Sequence, residues 1–235
     1  MAKVMIVGAS GGIANGLMQH YLAAGWQVDA LSRQPAIIEQ EGLNWYQLDE
    51  SNEVVLNDTL EQCFSDTVDV IFLCQGWLHD EARQPEKAIA QLKPAQLEQA
   101  LTINLFSPAR YLQALMPWLF RTPNIRVLVL SAKVGSITDN SLGGWYSYRI
   151  SKAALNMLVK TASIELRRRN KTASLVAVHP GTTATALSAP FQARVPEQQL
   201  QQPAETAARL AKVAAALTCE QSGHLLHWDG SSLPY

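Results

Sequence analysis

The chain predicts an α/β fold, a doubly wound and mostly parallel sheet of about seven strands with helices on both faces. Three observations predict it. Short apolar runs alternate with longer stretches of helical spacing along the whole length. Most of the runs are β-branched and little broken by polar residues, as strands buried on both faces are. The first run passes straight into a glycine-rich turn and then a helical pattern. In order, Lys3–Val7 is the first strand, and a helix covers 12–24 behind the glycine turn. Strands follow at 27–31 and 44–48, a helix at 51–65, and a fourth strand at 68–73. One long helical pattern covers 94–120 and leads into a fifth strand at 125–130. A helix at 148–169 precedes the sixth strand, 173–178, and a helix at 203–218 precedes the last, 224–228. The length of 235 residues suits one domain spanning 1–235, with no linker or repeat. The least regular stretch is 182–202, with Pro190 and Pro196, and it reads as a lid or as an ordinary surface loop.

Bulk properties exclude several function classes. A hydrophobic content of 48% with 17% charge is globular and argues against disorder. A formal net charge of -1 offers nothing to nucleic acid or to an anionic membrane. Arg167, Arg168, Arg169 and Lys171 form a basic run, but it closes a predicted helix, where cations complement the dipole. Cys63, Cys74 and Cys219 are odd in number and scattered, so they read as reduced thiols. His224 and His227 alternate across a strand and do not form a metal pair. The chain shows no secretory leader and no apolar run of membrane-spanning length, so a cytoplasmic location is expected.

Sheets of this class bind ligands outside the carboxyl ends of their strands, and the chemistry-bearing residues fall there or on the helix that follows. Gly8-Ala9-Ser10-Gly11-Gly12-Ile13-Ala14 follows the first strand and opens a helix. Glycines there let the backbone approach a pyrophosphate, which the helix N-terminus attracts. This is a dinucleotide-site pattern. The second strand ends Leu31-Ser32-Arg33. A carboxylate at that end would hold a ribose diol, whereas a basic residue accepts a 2′-phosphate. Asp29 lies too early in the strand for the first role. The pattern therefore favours NADP, with Arg33, Ser10 and Ser32 at the phosphate. Asp49, after the third strand, faces the adenine or caps the helix before Glu53. Tyr148 and Lys152 are four residues apart, which stacks them on one helical face. A neighbouring ammonium favours phenolate, so such a tyrosine can exchange a proton with a substrate oxygen near neutral pH.

With the glycine turn at the start and Tyr148/Lys152 in the second half, the sequence resembles the short-chain dehydrogenase/reductase family over essentially its whole length. Val134-Gly135-Ser136-Ile137-Thr138-Asp139-Asn140 and the run from Gly143 to Asn156 resemble the C-factor and sniffer-type carbonyl reductase branch. The resemblance implies a Rossmann-like fold and a small-molecule carbonyl or alcohol substrate. It implies that Tyr148 is the proton donor in carbonyl reduction. Lys152 would lower the phenol's pKa and hold the nicotinamide ribose, and Asn104 would support a water-linked proton relay. Gly8, Gly11, Gly12, Ile13 and Gly76 would line the cofactor, with Pro180, Gly181, Thr182 and Thr185 flanking the nicotinamide carboxamide. Tyr146 is a decoy, since Ile150 and not lysine stands four residues beyond it. A homodimer or homotetramer through the helices at 94–120 and 148–169 is also implied, with Trp118 and Phe120 at that interface or in the core.

Three departures stand out. Ala14 replaces the third glycine of the cofactor turn. The family's Asn-Asn-Ala-Gly reads Leu73-Cys74-Gln75-Gly76 here. The fifth strand, where the family ends in two serines and uses the second, ends Ser131-Ala132. Three outcomes are open: Ser131 takes over through a small backbone shift, Ser136 supplies the hydroxyl, or substrate polarisation is weaker. The expected function is NADPH-dependent carbonyl reduction. The alternative is an NADP-binding regulatory or signalling protein with little turnover. The irregular stretches 135–145 and 182–202 are the specificity elements, with Trp145 and Phe191 near a mixed apolar pocket.

Overall fold

The computed structural model describes residues 1–36 and 38–235. Its elements are β1 (Lys3–Val7), α1 (Gly12–Ala23), β2 (Gln27–Ser32), β3 (Leu43–Gln47), α2 (Glu53–Cys63), β4 (Val70–Leu73), α3 (Pro94–Leu101), α4 (Ser107–Leu119), β5 (Arg126–Leu130), α5 (Tyr146–Arg169), β6 (Ser174–His179), β7 (Thr182–Thr183), β8 (Leu200–Gln201), α6 (Pro203–Ala216), β9 (Leu225–His227) and β10 (Ser232–Leu233). The main sheet has eight strands in the order β10-β9-β6-β5-β4-β1-β2-β3. Every neighbouring pair is parallel except β9–β10. This is the expected Rossmann-like sheet with one short antiparallel edge strand added. The order reverses between β1 and β4, so the crevice for a ligand opens at their carboxyl ends.

Strand alternation builds two cores. In β1, Met5 and Val7 face a layer with Leu60, Leu115, Leu119, Val159 and Leu166 of α2, α4 and α5. Val4 and Ile6 face the opposite layer, with Leu17 and Met18 of α1 and Leu210 and Ala214 of α6. Burial on both faces explains why the strands read as unbroken apolar runs. Asp29 serves this architecture and not a ligand. Its carboxylate pairs with Lys3 Nζ at 3.3 Å and accepts from Asn44 Nδ2 at 2.9 Å. Lys3 Nζ also donates to Cys63 O at 2.8 Å, so the buried charge is compensated.

The segment 94–120 is not one helix. α3 and α4 are joined by a π-helical turn, Thr102–Phe106, closed by Ser107 N donating to Thr102 O. The cause is Pro108: it has no N–H to offer the Asn104 carbonyl four residues earlier, and its ring crowds that carbonyl. The helix widens there: Thr102, Ile103 and Ser107 line the groove, while Asn104 is fully buried behind them. Trp118 stacks on Phe64 at 4.9 Å, and Arg169 lies over Phe120, so both aromatic residues pack within the chain. The segment 182–202 is an organised excursion. β7 and β8 pair parallel at its ends, and a 3₁₀ turn, Ala189–Arg194, lies between them. The three cysteines are free. Among the described residues, no helix is long and apolar enough to cross a membrane, and no cluster of His, Cys, Asp and Glu is placed to hold a metal ion.

Candidate active site

Three adjoining cavities of about 210, 700 and 240 Å³ run across the carboxyl ends of the strands and share Cys74 and Gly76. The first is walled by Gly8, Ser10, Gly11, Ser32, Arg33, Glu50, Gln75 and Tyr111. The second passes the start of α1, with Gly12 and Ile13 on one side and Thr185 on the other. The third holds Tyr148, Lys152, Ser131, Pro180, Gly181, Thr182 and Thr185.

The first turn is built for an anion. Gly8 has φ +77°, and a Cβ there would stand 3.2 Å from Gln75 N and 3.3 Å from Cys74 C. α1 begins behind Gly11 without a side-chain cap and without an acidic residue in its first turn. Its leading N–H groups therefore remain available to a phosphate. Ser32 Oγ accepts from Gln34 N at 3.0 Å and shapes the turn that carries the exposed Arg33. No carboxylate stands at the end of β2 to oppose a 2′-phosphate there. These residues fit a phosphorylated dinucleotide.

Asp49 is the one sequence-predicted cofactor residue outside these walls. It is exposed, and its carboxylate accepts from Ser51 N at 2.9 Å, a turn-forming bond two residues on. The cap of α2 is Asn52, whose side chain accepts from Val55 N at 3.2 Å. The acid that does line the groove is its neighbour Glu50, which is buried.

Lys152 Nζ lies 5.9 Å from the centre of the Tyr148 ring and donates to Leu130 O at 2.9 Å. Burial pushes the Tyr148 phenol up and brings the Lys152 ammonium down to about 8, the nearby Cys74 sulfur opposing the latter. Burial, not the lysine, sets the direction for the phenol. A phenol held in its protonated form is a proton donor. Asn104 Oδ1 accepts from Trp77 N at 2.7 Å, and its Nδ2 donates to Trp77 O at 2.8 Å and to Ser151 Oγ at 2.9 Å. Ser151 Oγ in turn donates to Tyr148 O at 2.8 Å. Asn104 thus ties the turn after β4 to the helix that carries the tyrosine.

The wall hydroxyls are mostly engaged. Ser131 Oγ donates to Asn156 Oδ1 at 2.6 Å, and Ala132, beside it, has no hydroxyl. Ser136 is buried outside the cavity lining, and its Oγ accepts from Asp139 N at 3.1 Å.

Two arrangements at the start of α5 were not visible in the sequence. Glu86, buried in the loop after β4, accepts from Ser147 N at 3.1 Å and from Ser147 Oγ, and its own carbonyl accepts from Trp145 N at 2.5 Å. It caps the helix from 61 residues away, so no local pattern announces it. Trp145 is left-handed with φ 53° and follows Gly143 and Gly144, also at positive φ. A conformation that costs about 1–2 kcal/mol for such a residue needs outside support. Arg149 provides it, with Nε 3.0 Å from Gly144 O and its terminal nitrogens on Gly143 O and Val134 O. The Trp145 ring then meets Tyr148 edge-on at 6.2 Å and Phe191 at 4.9 Å. The Gly-Gly pair ahead of the tyrosine is the sequence signal for this turn.

Residues 2–196 match the family model for short chain dehydrogenase. A curated relative, the 1-hydroxy-2-glutathionyl-2-methyl-3-butene dehydrogenase of Rhodococcus sp. (strain AD45), is 36% identical over 139 residues. That alignment covers 59% of this chain and 58% of the relative, so the chain matches little more than half of the relative's length. Among solved structures, the carbonyl reductase Sniffer of D. melanogaster superposes with a TM-score of 0.85 at 20% identity, covering 100% of both chains. The NADPH-bound carbonyl reductase from chicken fatty liver gives a TM-score of 0.82 at 23% identity, covering 100% of this chain and 99% of that one. At those identities the two structures establish the fold.

Proposed function

The chain belongs to the short-chain dehydrogenase family and is an oxidoreductase by that membership, and we propose that it is an NADPH-dependent reductase of aldehydes or ketones. The observation that carries this reading is the cluster of Tyr148, Lys152 and the Pro180–Thr182 turn around one cavity, which adjoins the groove at the phosphate-ready turn of Gly8 through Cys74, Gln75 and Gly76. The bound nicotinamide would supply a hydride to the carbonyl carbon. Tyr148 donates its phenolic proton to the forming alkoxide. Lys152 stabilises the resulting phenolate and holds the ribose. The Asn104 carbonyl, to which Pro108 has no N–H to offer, anchors the route by which the proton is replaced. The free N–H groups of α1 hold the pyrophosphate, and Arg33, with Ser10 beside it, holds the 2′-phosphate. Likeness to an NADPH-bound carbonyl reductase supports the cofactor choice. Free thiols support a reducing, cytoplasmic setting.

A second reading, an NADP-binding regulatory protein with little turnover, draws on one observation: Ser131 is committed to Asn156, and Ala132 offers no hydroxyl. One experiment separates the two. Purified protein is tested with NADPH and NADH against a broad carbonyl panel. The reductase reading expects NADPH consumption, a preference over NADH of about tenfold or more, and reversal of that preference by Arg33→Asp. Tight NADPH binding with no consumption across the panel favours the regulatory reading.

An oligomer is part of the proposal. Ile150, Met157 and Ile164 are exposed at seven-residue intervals along α5, and Phe106 is exposed at the end of the π turn that leads into α4. This apolar stripe, and not Trp118 or Phe120, is the face for pairing α4 and α5 with a second copy. Light scattering should give a mass of two or four chains, reduced to one by Met157→Glu. A wild-type mass of one chain removes the prediction.

A further inference from the structure

We propose that His179 donates the hydrogen bond to the substrate's carbonyl oxygen that the wall at Ala132 cannot. The inference rests on the reductase reading. It starts from a shortage of free hydroxyls. Of the hydroxyls lining the catalytic cavity, Ser131 is bonded to Asn156, Thr183 to Thr206, and Ser188 to the Thr183 carbonyl. Thr185 leans toward Thr183 O at 3.5 Å, and Thr182 stands in the turn assigned to the cofactor. Tyr148 is the proton donor. A developing oxyanion needs a second, fixed donor if it is to be stabilised.

His179 ends β6 and lines the same cavity as Tyr148 and Lys152. The ring is half-buried, and its Nδ1 is buried without a hydrogen-bond partner. A neutral imidazole carries one proton. Placed on Nδ1, that proton would be a buried donor with no acceptor, which is rare, so the Nε2–H tautomer is assigned. The groups facing the ring are His227 on β9, at 5.6 Å between ring centres, and Lys133 in the turn after β5. Burial first, then those two groups, bring the His179 pKa down to about 4. His227 is itself turned toward Asp229, with Nδ1 3.4 Å from Oδ1. The ring therefore stays neutral, and a neutral imidazole N–H is a competent carbonyl-polarising donor. In the step, the carbonyl carbon gains hydride from bound NADPH and the oxygen gains the Tyr148 proton. His179 keeps its own proton throughout.

The test uses the full chain with NADPH and the panel carbonyl that the wild type reduces fastest, benzaldehyde being tried first. His179→Phe keeps the ring's bulk and removes the donor. Loss of one oxyanion donor predicts a fall in kcat of about 100-fold. NADPH affinity, read by fluorescence, should stay within about threefold, since no cofactor contact is removed. Adding Ala132→Ser to that variant should restore at least about tenfold, because a hydroxyl then occupies the empty place. Turnover by His179→Phe within about threefold of wild type would overturn the proposal. So would a loss of turnover matched by lost NADPH binding, which would make His179 a support of the Pro180–Gly181 turn only. An active wild type with unaffected His179 variants sinks this inference alone. A wild type that reduces nothing sinks the reductase reading beneath it.

Discussion

Tyr148→Phe is expected to lower carbonyl turnover by about 10²- to 10⁴-fold while NADPH affinity stays within about threefold of wild type. The substitution removes one oxygen. The ring still meets Trp145 edge-on, so the wall of the cavity keeps its shape. Lys152 still donates to Leu130 O, so its placement does not depend on the phenol oxygen. What disappears is the group proposed to deliver a proton to the forming alkoxide. Because burial keeps the phenol protonated at neutral pH, the wild type holds that proton ready. A transition-state role predicts that kcat and kcat/KM fall together. Steady-state kinetics with NADPH in excess, alongside fluorescence binding, checks this. Turnover equal to wild type would remove Tyr148 from the chemistry.

Lys152→Met should have a large effect of the opposite kind on stability. Turnover is expected to fall by about 10²- to 10⁴-fold, since the ammonium proposed to stabilise the phenolate is lost. The unliganded protein is nonetheless expected to become more stable at neutral pH. In the folded chain the buried ammonium titrates at about 8, against about 10.4 when unfolded. Between those values the unfolded state binds more protons, so wild-type stability rises with pH across that window. Below it, holding the charge in a buried site costs on the order of 3 kcal/mol, partly offset by the bond to Leu130 O. Methionine fills similar space without charge. Urea denaturation should therefore show the variant about 2 kcal/mol more stable near pH 7, with the gap closing toward about pH 10. A variant less stable than wild type near pH 7 would contradict this account of the lysine's burial.

The two predictions rest on residues that were legible in the sequence for different reasons. The glycine turn, Tyr148 and Lys152 are readable because each depends on local spacing after a strand or along one helix face. Tyr146 could be set aside on spacing alone. Asn104 was nameable by resemblance, but its geometry comes from Pro108, which turns one long helical pattern into α3, a π turn and α4. Periodicity cannot register a single widened turn. The spacing of Asp49 after the third strand suits a residue facing the adenine or a helix cap. The fold turns it to Ser51 and brings the buried Glu50 to the groove, a one-residue difference that sequence spacing cannot resolve. Glu86 was illegible because its partner Ser147 is distant in the chain. The same holds for the commitment of Ser131 to Asn156, which joins β5's end to α5. Short edge elements such as β10, and the β7–β8 pair, are too brief to leave a pattern.

Hydride transfer from NADPH to a carbonyl held at Tyr148 leaves an isotopic record. Wild-type protein is incubated with C4-deuterated NADPH and the panel carbonyls, and the alcohols are examined by mass spectrometry and NMR. Deuterium is expected on the carbinol carbon, delivered from one face of the nicotinamide, with little or none from Tyr148→Phe. Tight NADPH binding with no deuterium in any alcohol, or equal labelling by Tyr148→Phe, would contradict it.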